Sequence, residues 1–131
     1  MVFNRERDDE QNNLEQAFNH STKPKVILLL MRGGMERITL TEDEHLILGR
    51  SDAATGFQPD VDLAQYHARK MGVSREHACL FQRGGQLYVT DMGSNNGTFV
   101  HGKLLNPHQP IALNDGDSMR LGMLDIRIEI R

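Results

Sequence analysis

From Val26 onward, short apolar stretches alternate with clusters of glycine and polar residues. VILLLM, from Val26 to Met31, is a continuous apolar run of strand length, and Gly33-Gly34 with Met35 turns the chain. RITL and HLILG follow, separated by the polar TEDE. ACLFQR and QLYVTD flank Gly84-Gly85, a two-glycine hairpin signal. GTFV and KLL flank His101-Gly102, a second tight turn. PIAL, SMRLG and DIRIEI complete the series, with NDGD and Gly122 as punctuation.

Within these stretches the period is two. Ile126, Ile128 and Ile130 alternate with Arg127, Glu129 and Arg131, and Ile38 and Leu40 alternate with Arg37 and Thr39. Side chains two apart share one face of a strand, so each segment reads as one wall of a core. Strands at such short intervals, with no long helix between them, predict an all-β antiparallel sandwich or barrel.

Two segments depart from the pattern. The connection between Arg50 and Ser74, SDAATGFQPDVDLAQYHARKMGV, is too long for a plain turn, and such loops carry function or some structure of their own. DVDL suits a short strand there and AQYHARK a helical turn. Residues 1–24 are rich in Asp, Glu, Asn, Gln and Arg, with isolated Phe3, Leu14 and Phe18. They read as a flexible polar tail ahead of one domain at 25–131; the alternative is a short amphipathic helix using Leu14, Ala17 and Phe18.

Composition narrows the function classes. A chain of 131 residues suits one domain. The single cysteine, Cys79, has no partner for an internal disulfide, and no CxxC pair offers a zinc ribbon or redox motif. The formal net charge of -3 argues against a nucleic-acid binder. No run approaches the roughly 20 apolar residues that span a bilayer, and the charged N-terminus lacks the apolar core of a signal peptide. A cytoplasmic protein in a reducing compartment is expected, with no membrane insertion.

The chemistry gathers in three clusters at strand ends: LGRS around Arg50, GVSREHA around Ser74, and DMGSNNGTFVHG from Asp91. Loops collected at one end of a sandwich form its usual binding surface. Arg50 and Arg75 carry forked guanidiniums that match phosphate oxygens. Ser74 brings a hydroxyl, and Asn95 and Asn96 bring amide donors and acceptors. Gly93 and Gly97 bracket the asparagines and permit tight backbone and close ligand approach. A site of this composition holds an anion without transforming it.

Plainer roles exist for each residue. Arg50 suits a solvated strand end, and Arg75 a surface salt bridge. Asn95-Asn96-Gly97 is a good hairpin turn by itself. SREH lacks the Glu or Gln that completes a capping box after Ser74. A triad of Ser74, His77 and an aspartate lacks the GxSxG elbow. NDGD at Asn114 to Asp117 opens like a calcium loop without the later ligands. The six histidines, His20, His45, His67, His77, His101 and His108, show no metal spacing, so no metal or cofactor is expected. Met and Phe residues read as core.

LGR, VSREHA, D-x-GSNNGTFV-x-G and LNDGDSMRLG, in that order, resemble the forkhead-associated (FHA) domain from roughly Val26 to the C-terminus. The resemblance implies an eleven-stranded β-sandwich that binds a phosphothreonine peptide through loops at one end, and no enzymatic activity. It implies that Arg50 pairs with the phosphate, that Ser74 donates its hydroxyl to a phosphate oxygen, and that Arg75 reaches phosphate or peptide. Asn95 stands where the family often has Ser or Thr and would contact the phosphate. Asn96 would bond the ligand main chain on the residue after the phosphothreonine. His77 would brace the loop holding Ser74, while Asp91, Gly93, Gly97 and Thr98 would shape the last recognition loop.

Three features depart from the family. His101-Gly102 replaces a common Asn-Gly, and the Arg50 to Ser74 connection is longer than the compact version. Met71-Gly72-Val73 sits where family members help choose the ligand residue three positions after the phosphothreonine, and Gly72 offers no side chain there. Two classes of function follow. One is an adaptor that reads phosphothreonine in a partner, expected to be a Ser/Thr kinase or its substrate. The other is an FHA-like module for phosphate-independent interaction or oligomerisation. Thr22, just before the domain, is a candidate phosphorylation site that would occupy the pocket in cis or link two copies.

Overall fold

A computed structural model describes residues 23–131. The expectations for residues 1–22, including the helix through Leu14, Ala17 and Phe18 and the modification of Thr22, lie outside the described residues. The strands are β1 (Lys25–Met31), β2 (Gly34–Leu40), β3 (His45–Gly49), β4 (Val61–Asp62), β5 (Glu76–Arg83), β6 (Gln86–Asp91), β7 (Thr98–Val100), β8 (Lys103–Leu104), β9 (Ile111–Leu113), β10 (Ser118–Leu121) and β11 (Leu124–Ile130). They form a six-stranded sheet, β2-β1-β11-β10-β7-β8, and a five-stranded sheet, β4-β3-β5-β6-β9. Of the sandwich or barrel that the alternating pattern allows, this is the all-β sandwich.

Period-two burial builds the core. Ile27, Leu29 and Met31 on β1 face inward beside Ile126 and Ile128 on β11, with Leu29 directly opposite Ile128. Across the gap, Leu48, Ala78, Leu80, Leu87 and Val89 line the inner face of the five-stranded sheet. Each large aliphatic side chain buried this way contributes about 1.5–3 kcal/mol. Gln82 breaks the apolar pattern at full burial, and its Nε2 donates to the Leu40 carbonyl at 2.8 Å, stitching β5 to the end of β2. Gly84 and Gly85, at φ +59° and +78°, make the β5–β6 turn, a conformation that costs glycine nothing.

The long connection after Arg50 is built into the core. Val61 and Asp62 pair with Leu48 and Gly49 as β4, and Ala64–Tyr66 forms a 3-10 turn. Leu63 and Ala68 are fully buried, with Tyr66 and Val73 nearly so. The Tyr66 hydroxyl donates to Glu36, which holds the connection against β2. One expectation is corrected: Met35, Met71 and Met123 are exposed, not core. Each lies at a turn or strand edge, where no second sheet covers it.

Candidate functional site

The site begins where β3 ends. The pairing of β3 with β5 shifts register between Leu48 and Gly49, and the two backbones come very close. A Cβ on Gly49 would sit 1.7 Å from the Arg75 carbonyl oxygen, so only glycine fits. The Arg50 amide donates to that same carbonyl at 3.2 Å. Its Nε donates to the Val73 carbonyl at 2.7 Å, which aims the rest of the guanidinium into a cleft. Asp62 secures the far side, its Oδ1 accepting from the Ser51 amide at 2.9 Å and the Ala64 amide at 3.0 Å. Burial alone would raise the Asp62 pKa, but the bonds from Ser51 and Ala64 outweigh it and keep the carboxyl below its usual value.

Ser74 enters the same cleft. Its amide donates to His77 Nδ1 at 2.9 Å, so Nδ1 carries no proton. Nε2 therefore carries it and donates to the Gly97 carbonyl at 2.9 Å. Only the neutral Nε2–H tautomer satisfies both neighbours. His77 is fully buried, and burial holds its pKa below 6.5 against the opposing pull of Gly97 and Asp91. The Ser74 hydroxyl oxygen accepts from the Asn95 amide at 3.2 Å, which leaves its own hydrogen to be donated. Because His77 is bonded to the Ser74 main chain and not to its hydroxyl, the geometry does not make a nucleophile and base.

Asp91 organises the asparagine loop. Its Oδ2 accepts from the amides of Gly93 and Ser94 at 3.0 and 3.1 Å. Its Oδ1 accepts from the hydroxyls of Ser94 at 2.6 Å and Thr98 at 2.7 Å. Burial pushes its pKa up, and these four bonds more than reverse that, so the carboxyl titrates below its ordinary range. Ser94 then accepts from the Gly97 amide at 2.9 Å, closing the loop on itself. Sequence reasoning passed over Ser94; the spacing of Asp91 and Ser94, an Asx-turn pattern, was the available signal. Gly93 and Gly97 sit at φ +76° and +87°.

Arg50, Ser74, Arg75 and Asn95 line one cleft of about 500 Å³, together with Thr55 and Phe57 from the long connection. Arg75 is not wholly committed to that cleft, since its Nη1 pairs with Asp52 Oδ2 at 3.2 Å. Asn96 lies apart from the four. Its Nδ2 donates to the Gly72 carbonyl at 2.9 Å, and it lines an adjoining groove of about 290 Å³ with Met71, Phe99, Arg120 and Met123. A Cβ on Gly72 would come within 2.7 Å of that amide nitrogen, so the missing side chain makes room for Asn96. Gly122 and Met123 close the groove, the Met123 amide donating to the Met71 carbonyl at 2.7 Å. Among the described residues, no cluster of His, Cys, Asp and Glu is arranged to hold a metal, and no helix is long and apolar enough to cross a membrane.

The family model described as the FHA domain matches residues 46–122, more than half of the chain. Protein FraH of Nostoc is 38% identical over 68 residues, which cover 52% of this chain and 23% of that protein. The oxoglutarate dehydrogenase inhibitor of Corynebacterium jeikeium is 34% identical over 76 residues, covering 58% of this chain and 49% of that one. The chain thus spans half or less of the length of these curated relatives. Among solved structures, one described as a structural and functional analysis of phosphothreonine-dependent FHA domain interactions shares 26% identity at TM-score 0.61, covering 83% of this chain and 98% of its own. The FhaA FHA domain complexed with the intracellular domain of Rv3910 shares 27% identity at TM-score 0.59, covering 80% of this chain and 99% of its own. The chain belongs to the FHA domain family.

Proposed function

We propose that this FHA domain is an adaptor module that binds phosphothreonine in a partner protein through the Arg50, Ser74 and Asn95 cleft. The observation that carries the reading is the paired restraint of its donors. Val73 pins the Arg50 guanidinium, and the Asn95 amide holds the Ser74 oxygen in place while leaving its hydrogen free to donate. Donors held in place before the ligand arrives spare it the ordering cost of assembling them. The FHA structures noted above, one concerned with phosphothreonine-dependent interactions, support the same ligand class.

In this reading Arg50 pairs with the phosphate and Ser74 donates to a phosphate oxygen. The Asn95 side chain completes the shell, its amide being already committed to Ser74. Arg75 joins by leaving Asp52, and Asn96 holds the ligand main chain just past the phosphothreonine. A phosphate brings about -1.5 to -2 charges at neutral pH. Charge-assisted hydrogen bonds contribute about 1.5–3 kcal/mol each before desolvation and ordering costs. The sum corresponds to roughly micromolar affinity, about -8 kcal/mol. The role is recruitment, with a Ser/Thr kinase or its substrate as the partner and no reaction at the site itself.

Calorimetric titration with matched peptides carrying phosphothreonine, phosphoserine or threonine tests this, using the wild type and Arg50→Ala. Phosphothreonine binds tightest, threonine does not bind measurably, and Arg50→Ala loses about a hundredfold. Equal binding of all three peptides rejects the reading in favour of phosphate-independent association.

A further inference from the structure

Beyond the arginines of the cleft itself, carboxylates and cations are unevenly placed around the candidate phosphate position. On one side stands Asp52, whose Oδ2 holds Arg75 and whose Oδ1 accepts from the Ala54 amide at 3.0 Å. The backbone of Asp52 is bridged to Phe57, and both Phe57 and the Arg75 that Asp52 holds line the cleft. Glu76 lines the same cleft and adds a second negative charge. On the other side, past Asn95 and Asn96, the groove is lined by Lys70 and Arg120. The Arg120 guanidinium lies 4.3 Å above the Phe99 ring. Its Nε is buried with no hydrogen-bond partner among the described residues. A cation parked on an aromatic face, with no carboxylate bonded to it among the described residues, retains attraction for an incoming anion.

We infer that the ligand is charge-polarised, with a cationic side chain on the Asp52 side of the phosphothreonine and an acidic one on the Lys70 and Arg120 side. This rests on the phosphothreonine reading above. When the phosphate draws Arg75 to itself, Asp52 loses its direct ion-pair partner, and a ligand lysine or arginine replaces it. A ligand carboxylate in that place faces Asp52 and Glu76 together and is rejected. In the groove the preference reverses, because an acidic side chain meets two cations and exposed Met71 and Met123 offer no competing charge. With Asn96 on the main chain just past the phosphothreonine, the basic residue lies N-terminal and the acidic one C-terminal. The reaction supplying this ligand is phosphoryl transfer to a threonine between a basic and an acidic flank.

The test is titration of the full chain with two phosphothreonine peptides of identical composition, one Lys before and Glu after, the other reversed, plus a neutral alanine version. Exposed ion pairs are individually weak, so the wild type prefers the first over the reversed peptide by about tenfold, less at high salt. Asp52→Asn removes the lysine part of that preference and tightens binding of the neutral peptide, since Arg75 is no longer shared. Lys70→Gln and Arg120→Gln each weaken the glutamate part; Lys70, being exposed, tests this without touching the Phe99 stack. Equal wild-type affinity for the two charged peptides overturns the polarity while leaving phosphothreonine recognition standing. A preference unchanged in all three variants overturns the residue assignment. Failure of every phosphopeptide to bind overturns both this inference and the reading beneath it.

Discussion

His77 on β5 donates from Nε2 to the Gly97 carbonyl 2.9 Å away, tying the segment that carries Ser74 to the loop that carries Asn95 and Asn96. Through Nδ1 the same ring receives the Ser74 amide. One fully buried imidazole therefore sets the spacing between two loops of the candidate site without lining the cleft itself.

Replacing His77 by alanine leaves the Ser74 amide and the Gly97 carbonyl without their partner and opens a cavity. The expected destabilisation is about 2–4 kcal/mol, read as a lower urea midpoint. Phosphothreonine-peptide affinity falls as well in protein that remains folded, because the loops separate. Unchanged stability and affinity would show that the bridge is dispensable.

Acid has a defined effect through the same residue. Burial holds the folded-state pKa of His77 below the 6.5 of the unfolded chain. As pH falls through 6.5 the unfolded chain takes up a proton that the folded chain resists, so the unfolded state binds more protons and stability declines. This contribution is complete above pH 6.5 and is lost progressively between 6.5 and the lower folded value. Urea unfolding across this range should show the decline in the wild type and a shallower one in His77→Gln.

Gly49→Ala places a methyl against the Arg75 carbonyl, where 1.7 Å leaves no room. Two strand backbones must part, at a cost of about 3 kcal/mol, and Arg50 moves with them. Gly84→Ala is the control. Nothing lies within 4 Å of its Cβ and only its φ of +59° is unfavourable, so it loses about 1–2 kcal/mol and binds phosphopeptide normally. Thermal unfolding of the pair measures the difference.

Asp91→Asn keeps the shape but turns one acceptor oxygen into a donor group facing hydrogens it formerly accepted. Two hydroxyls and two amides converge on this carboxylate, and hydrogen bonds to a charged group are the stronger kind. A loss of about 2–4 kcal/mol follows. Amide exchange at Gly93, Ser94 and Gly97 should accelerate more than exchange in β1 or β11, since the damage is confined to one loop.

Much of the fold was legible because strand periodicity and turn chemistry are local. Ile126, Ile128 and Ile130 announce a strand wherever it ends up, and Gly84-Gly85 announces a turn. The donors were legible for the same reason, since a guanidinium or a hydroxyl is a property of the residue. Less legible was the stretch from Arg50 to Ser74. Its apolar residues are too scattered to show a period, yet Leu63, Ala68 and Val73 complete the core. Exposed Met71 and Met123 misled, because apolar character alone does not say whether a second sheet will cover a side chain.

The amino-acid order by itself determined the succession of short strands, their glycine turns and a set of groups suited to an anion. Only the tertiary structure decided how those groups are aimed: Arg50 by the Val73 carbonyl, 23 residues further on, Ser74 by Asn95, and Asn96 by Gly72 into a separate groove. The reason lies in the range of each interaction. Backbone conformation follows neighbours a few positions away, whereas a hydrogen-bond partner twenty residues distant exists only once two sheets have packed and brought their loops to one end.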